Sequence, residues 1–163
     1  MKQTGYTLVE LLIVIFIISI TASVAFISFS RNENQQLVSF ARELTQLITL
    51  AEEQAILQPA VLGLTMTAQT LQFSSLNLAE SDKKNEWQAL DDHVFAKRRI
   101  PSDIQVEVKI NDKIIHADDQ PQIIISMNGE VTPFTIYLSK KGDKPRFAIT
   151  GEADGTVENE SLS

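Results

Sequence analysis

Residues 11–29 (LLIVIFIISITASVAFISF) contain no charged side chain over 19 consecutive positions. A helix needs roughly 20 apolar residues to cross a bilayer core, so this run is long enough to span one. Lys2 stands before it, and Arg31 and Glu33 after it. Lys2 and the initial amine favour a cytoplasmic N-terminus, which puts the rest of the chain on the far side. That remainder reads as soluble protein, enough of the 163 residues for one modest domain. A plain anchor fits the run. So does a secretory signal peptide, with Ser23-Val24-Ala25 offering small residues at a cleavage spacing.

Glu10 introduces a third reading. It lies just inside the apolar run, where a carboxylate is out of place in a signal peptide. An ionisable residue at the centre of a membrane helix costs about 2.5–3.5 kcal/mol, and such residues are usually functional. The stretch Lys2-Gln3-Thr4-Gly5-Tyr6-Thr7-Leu8-Val9-Glu10-Leu11-Leu12 resembles the class III (type IV) prepilin signal: a short basic leader, a glycine, an aromatic residue and a glutamate five positions into the mature chain. The resemblance implies cleavage between Gly5 and Tyr6 and N-methylation of Tyr6 by a prepilin peptidase and methyltransferase. The family's first mature residue is most often phenylalanine, and here it is Tyr6. It further implies an assembly role for Glu10. A carboxylate at the fifth position of a helix lies about one turn from the new amine, and in the family it meets the amine of a neighbouring subunit.

Between Tyr6 and Gln58 there is no Gly or Pro; Pro59 is the first breaker. Beyond the polar stretch 31–36, apolar residues return at Leu37, Phe40, Ala41, Leu44, Leu47, Ile48, Ala51 and Ala55, with Arg42, Glu43, Glu52 and Glu53 between them. Spacings of three and four make an amphipathic stripe. The expectation is one helix over about 6–57, roughly 78 Å long at 1.5 Å per residue, apolar all round in its first half and one-sided in its second. Two helices joined by a turn at 31–36 are the alternative, since Asn32 and Asn34 allow it. The organisation is a leader 1–5, a membrane or filament-core helix 6–30, an amphipathic continuation 31–58 and a periplasmic β-rich domain 59–163.

Beyond Pro59 the pattern turns to short strands, expected over 60–66, 70–76, 104–110, 122–127, 134–139 and 146–150. Residues 113–116 pair back after an Asn111-Asp112 turn, and a short strand lies near Thr156 and Val157. Asn128-Gly129 is a hairpin signal. Residues 79–90, with the one tryptophan, Trp87, read as a loop or short helix. One long helix followed by consecutive strands is α+β, the stripe covering an antiparallel sheet or sandwich.

The C-terminal half carries a second resemblance. Ser126-Met127-Asn128-Gly129-Glu130-Val131-Thr132-Pro133-Phe134-Thr135-Ile136, then Phe147-Ala148-Ile149 and the glycines Gly151 and Gly155, are similar to the H-type minor pseudopilins of type II secretion systems. Residues 60–120 look generic beside them. The resemblance implies a pilin-like fold and a place near the tip of a short periplasmic pseudopilus, where H-type subunits join the other minor pseudopilins to the major pseudopilin shaft. That filament rises from the inner-membrane secretion platform and helps folded proteins across the outer membrane. A minor pilin of a type IV pilus, serving DNA uptake, adhesion or twitching, shares the same N-terminus and is the alternative.

Composition trims the other classes. A net charge of −7 speaks against a general nucleic-acid binder. With no cysteine, neither disulfides nor thiol chemistry is available. No Gly-x-x-x-x-Gly-Lys-Ser/Thr loop and no Gly-x-Ser-x-Gly elbow occurs, so no enzyme activity and no cofactor is expected. His93 and His116 lie apart, outside any metal-binding spacing. Asp91-Asp92 and Asp118-Asp119 read as solvated turns rather than a calcium loop. Lys97-Arg98-Arg99 reads as an exposed face, suited to anionic lipid or an acidic neighbour, and is the place to test for DNA binding.

Overall fold

The computed structural model describes residues 8–77, 86–116 and 120–162, with side chains for all of these except 23–34. The chain divides into two units, 1–38 and 39–163. A single helix, α1, runs Leu8–Leu57, so no turn interrupts it at 31–36. All eight stripe residues are buried, none more than 7% exposed, while Arg42, Glu43 and Glu53 face solvent. Burying each Leu, Ile or Phe contributes about 1.5–3 kcal/mol relative to exposure, and that gain docks the helix on the sheets. Past Leu57 the Ala60 amide donates to the Ala55 carbonyl, and Pro59 cannot continue the helix.

Among the described residues ten strands follow: β1 Leu62–Met66, β2 Thr70–Asn77, β3 Glu86–Ala89, β4 Arg98–Arg99, β5 Ile104–Ile110, β6 Lys113–Ile115, β7 Ile123–Ile125, β8 Phe134–Lys140, β9 Phe147–Gly151 and β10 Val157–Ser161. They form two five-stranded sheets. The first is ordered β3-β2-β1-β7, with β4 also on β2; the second is ordered β10-β9-β8-β5-β6. Every pairing is antiparallel. Leu64, Phe73 and Ile123 stand in register in the first sheet, and Val108, Ile136 and Ile149 in the second. All six are buried. Gln122 ties the sheets together. Its Oε1 accepts from the Met66 amide at 2.8 Å on β1, and its Nε2 donates to the Ile115 carbonyl at 3.2 Å on β6.

The expected strands are present, and the described part of α1 runs from Leu8. Asn111 and Asp112 both have positive φ, 51° and 62°, the signature of a two-residue hairpin loop. Three features depart from the sequence reading. Residues 86–89, read as loop or short helix, form β3; residues 79–85 of that segment lie outside the described residues. The cause is tertiary: Trp87 sits opposite Leu76 on β2, and its ring, with Pro121, covers the side-chain-free face of Gly63. Strand β4 is too short to show a period, and it exists because Thr70 and Leu71 offer it an edge.

The third departure is the Asn128-Gly129 hairpin. The turn is there, with the Gly129 amide donating to the Ser126 carbonyl at 3.0 Å and Ile125 bridging to Val131. It does not join neighbouring strands of one sheet. β7 pairs with β1, whereas β8 pairs with β5 and β9. The turn therefore carries the chain from one sheet to the other, and Pro133, which lacks a donor, stands where pairing with the first sheet ends.

The segments after this crossing make two sets of close contacts at glycines. Phe134 is paired with Gly151 across β8 and β9, and its ring fills the space where a Cβ on residue 151 would stand. Gly155 holds φ at 92° and lies against the Glu52 carboxylate and the Gly129 carbonyl. Gly129 itself lies against Ile56. The helix C-terminus is thus seated between two turns far away in sequence. Burial, then the charges of Glu53 and Asp154, hold the Glu52 carboxyl above its ordinary value of 4.5.

Two outcomes follow from these contacts. Gly151→Ala forces the Phe134 ring aside, and overpacking of this kind costs about 1–3 kcal/mol; urea denaturation should show the loss as a lower midpoint. Because folding raises the Glu52 value, its contribution to stability is full below the ordinary carboxylate range and fades as pH rises through the folded value. Glu52→Gln should therefore melt higher than the parent near pH ~7.5 and lose that advantage near pH ~3.5, as read by thermal denaturation at both.

Candidate assembly site

Toward its N-terminal end α1 presents an apolar surface that is exposed among the described residues. Every large apolar residue described from Leu8 to Ile20 is 47–80% exposed. They lie on all sides of the helix, and a helix that is apolar all round is buried in lipid or among other helices. The polar atoms in this stretch are compatible with that burial. Ser19 Oγ donates to the Ile15 carbonyl at 2.8 Å, and Thr21 Oγ1 donates to the carbonyls of Ile17 and Ile18 at 3.1 and 2.9 Å. These hydroxyls are satisfied within the helix, as a hydrocarbon environment requires.

Glu10 lies in the first turn of α1 and is exposed. A carboxylate there interacts favourably with the positive end of the helix dipole. Gly5 and Tyr6, the expected cleavage and methylation positions, lie outside the described residues, as does Lys2. Among the described residues no helix is long and apolar enough to cross a membrane. The described side chains of the apolar run stop at Ala22, and those of residues 23–29 of the expected span lie beyond them.

The other sequence candidates are dispersed. His93 and His116 are both exposed, and among the described residues no three His, Asp or Glu side chains converge on a metal position. Asp92 caps a turn: its Oδ1 accepts from the amides of Val94 and Phe95 at 2.8 and 2.6 Å. Asp118 and Asp119 lie outside the described residues. The basic run is divided. Arg98 pairs at the surface with Glu43 on α1 and donates to the Val94 carbonyl, while Lys97 and Arg99 are exposed and in no ion pair among the described residues. Sequence reasoning did not separate these three cations, because their opposite facings come from strand β4.

Comparison with known proteins bears on both ends of the chain. The family described as Type II transport protein GspH matches residues 41–155, and the prokaryotic N-terminal methylation motif matches residues 1–26. The first match includes the stretch 60–120 that looked generic. The type II secretion system protein H of Vibrio cholerae is 23% identical over 94% of this chain and 92% of its own length. That of Pseudomonas aeruginosa is 27% identical over 93% and 91%. Among solved structures, the minor pseudopilin EpsH from the type 2 secretion system of Vibrio cholerae superposes with a TM-score of 0.65 at 22% identity, over 77% of this chain and 96% of that one. Escherichia coli GspH in solution gives 0.61 at 16%, over 78% and 89%. These likenesses show the fold: a helix on two antiparallel sheets. With its methylation motif in front and the matched domain over most of its length, the chain belongs to the type II transport protein GspH family, the H-type minor pseudopilins of type II secretion.

Proposed function

We propose that this chain is a structural subunit that joins the minor pseudopilins at a pseudopilus tip to the major pseudopilin shaft, with no reaction of its own. The observation carrying this reading is the uncovered apolar surface of α1 with Glu10 in its first turn. Such a helix needs two successive environments. Before assembly it rests in the inner membrane, with the folded domain on the periplasmic side. In the filament the same surface is covered by the equivalent helices of neighbours. Cleavage between Gly5 and Tyr6 creates an amine about one turn from Glu10. A carboxylate left without a partner in hydrocarbon is unfavourable. It gains by meeting the Tyr6 amine of an adjacent subunit, and that pairing sets the axial register.

The family match over residues 41–155 supports a secretion role over a type IV pilus role, since the N-terminal motif serves both. The prepilin peptidase and methyltransferase, the secretion platform and the other pseudopilins are the partners this reading requires.

Two measurements test it. Mass spectrometry of the protein from its native membrane should find a methylated chain beginning at Tyr6; a chain beginning at Phe26 would mean a signal peptide, and an intact Met1 a plain anchor. Glu10→Ala should leave membrane insertion unchanged and reduce co-purification with the other pseudopilins by about tenfold, the effect of losing ~1.4 kcal/mol. Unchanged co-purification would overturn the assembly role of Glu10.

A further inference from the structure

The charges of the β domain are sorted by end. Residues 97–99 and 140–146 together hold seven of the chain's 14 Lys and Arg. Main-chain hydrogen bonds keep these two segments together. The Ile100 amide donates to the Gln69 carbonyl at 2.8 Å, and the Lys141 amide donates to the Asp103 carbonyl at 2.9 Å. The β1–β2 turn, the segment leading into β5 and the β8–β9 hairpin are thereby tied at one end, where Lys97, Arg99 and Lys141 line one groove. β8 runs from Phe134, paired with Gly151, to Lys140, and a strand of that length covers roughly 20 Å. The hairpin after Lys140 therefore stands at the opposite end from the Gly155 turn, which lies against Glu52 near the C-terminus of α1.

The cationic end is also the end at which α1 enters. Arg98 pairs with Glu43, close to Ser39, the first residue of this unit, whereas Glu52 and Ile56 meet the turns at the far end. Lys97, Arg99, Lys141, Lys144 and Arg146 are exposed. Against the seven cations, in the same segments and on the facing turn of α1, stand Glu43, Asp103 and Asp143. The cations would still be in excess with Asp118 and Asp119, which lie outside the described residues, added to these. The far end has the opposite sign. Residues 52–57, 126–133 and 151–157 hold Glu52, Glu53, Glu130, Glu152 and Asp154 and no Lys or Arg. A net charge of −7 thus conceals one positive end.

We infer that this cationic end rests on anionic phospholipid headgroups of the membrane that holds the uncharged run, and so keeps the acidic end turned away from the bilayer until the subunit joins a filament. The inference rests on the membrane stage of the proposed function. The helix sets its reach. From Phe29 to Ser39 α1 advances ten residues, about 15 Å. A headgroup layer of ~5–7 Å and a screening length of ~8 Å together span about that height, and long Lys and Arg side chains narrow what remains. Each Lys or Arg near an anionic surface favours the contact about fivefold. An acidic neighbouring subunit is a narrower fit. The cations stand around a hairpin tip with open space beside Gly142, and long side chains on a tip suit a fluid layer of charges better than a shaped partner. A nucleic acid is a poorer occupant, because the rest of the chain is acidic and repels its phosphates.

The test uses the full chain in nanodiscs of phosphatidylcholine, alone or with a third of it replaced by phosphatidylglycerol. Reductive methylation of individual lysines is followed by mass spectrometry. Lys97, Lys141 and Lys144 should react at least about fivefold more slowly in the anionic discs. Exposed Lys113, past the far end of β5, should keep its rate. The difference should vanish in ~1 M salt, where the screening length is ~3 Å. Lys141→Glu with Lys144→Glu should restore the Lys97 rate; if that variant melts lower than the parent, Lys141→Gln with Lys144→Gln replaces it. Equal rates in the two discs, with the chain inserted in both, overturn the inference and leave the proposed function standing. Equal slowing at Lys113 overturns it as well, as does undiminished slowing at Lys97 in a variant that melts like the parent. A chain that does not stay in the discs removes the anchor, and the proposed function falls with the inference. Slowing that needs added pseudopilins or a single-stranded oligonucleotide, and is absent from anionic discs without them, assigns this end to an acidic subunit or to nucleic acid and overturns the lipid assignment.

Discussion

Residues 39–163 depend on one apolar face of α1. Phe40, Ala41, Leu44, Leu47, Ile48, Ala51 and Ala55 are buried along a single stripe, and the domain has no disulfide to replace that contact. Two antiparallel sheets, each with a buried row of its own, need a third element to close the core. Ala41, Ala51 and Ala55 are as fully buried as the larger residues between them.

The same helix has opposite chemistry at its two ends. From Leu8 to Ile20 its large apolar residues are exposed on every side, whereas from Arg42 onward polar residues alternate with the buried face. A one-sided helix is completed by its own chain; an all-round apolar helix is completed by lipid or by other helices. The division explains how one element both folds a domain and attaches it to an assembly.

The C-terminal motif gains a physical explanation from the packing. Gly129 and Gly155 are 26 positions apart, yet both lie against Glu52 at the end of α1, while Phe134 and Gly151 pack on each other across β8 and β9. Phe134 needs the bare face of Gly151, and the Gly155 turn needs a positive φ beside the Glu52 carboxylate. The residues that carry the C-terminal resemblance thus include two turn glycines that close on the helix end and a strand pair that needs a bare glycine face. The Asn128-Gly129 turn also moves the chain between sheets, which its turn chemistry does not reveal. Turn residues specify a local reversal; which strand is met afterwards depends on the edges that are free.

Periodic features were legible without coordinates. The 19-residue uncharged run, Glu10 after Gly5 and Tyr6, the helix stripe from Leu37 to Ala55 and the alternation of β5 each repeat a local pattern, and local patterns report secondary structure and its buried face. The features that needed tertiary structure involve partners distant in the chain. β3 exists because Trp87 meets Leu76 and covers Gly63. β4 splits the basic run, sending Arg98 to Glu43 and leaving Lys97 and Arg99 beside Lys141. The sequence by itself determined a long helix with an uncharged apolar run, the N-terminal methylation motif and an α+β domain behind them, because these reside in neighbouring residues. The tertiary structure alone decided the sheet order, the glycine contacts and the cationic groove, because each is a meeting of side chains that no local period links.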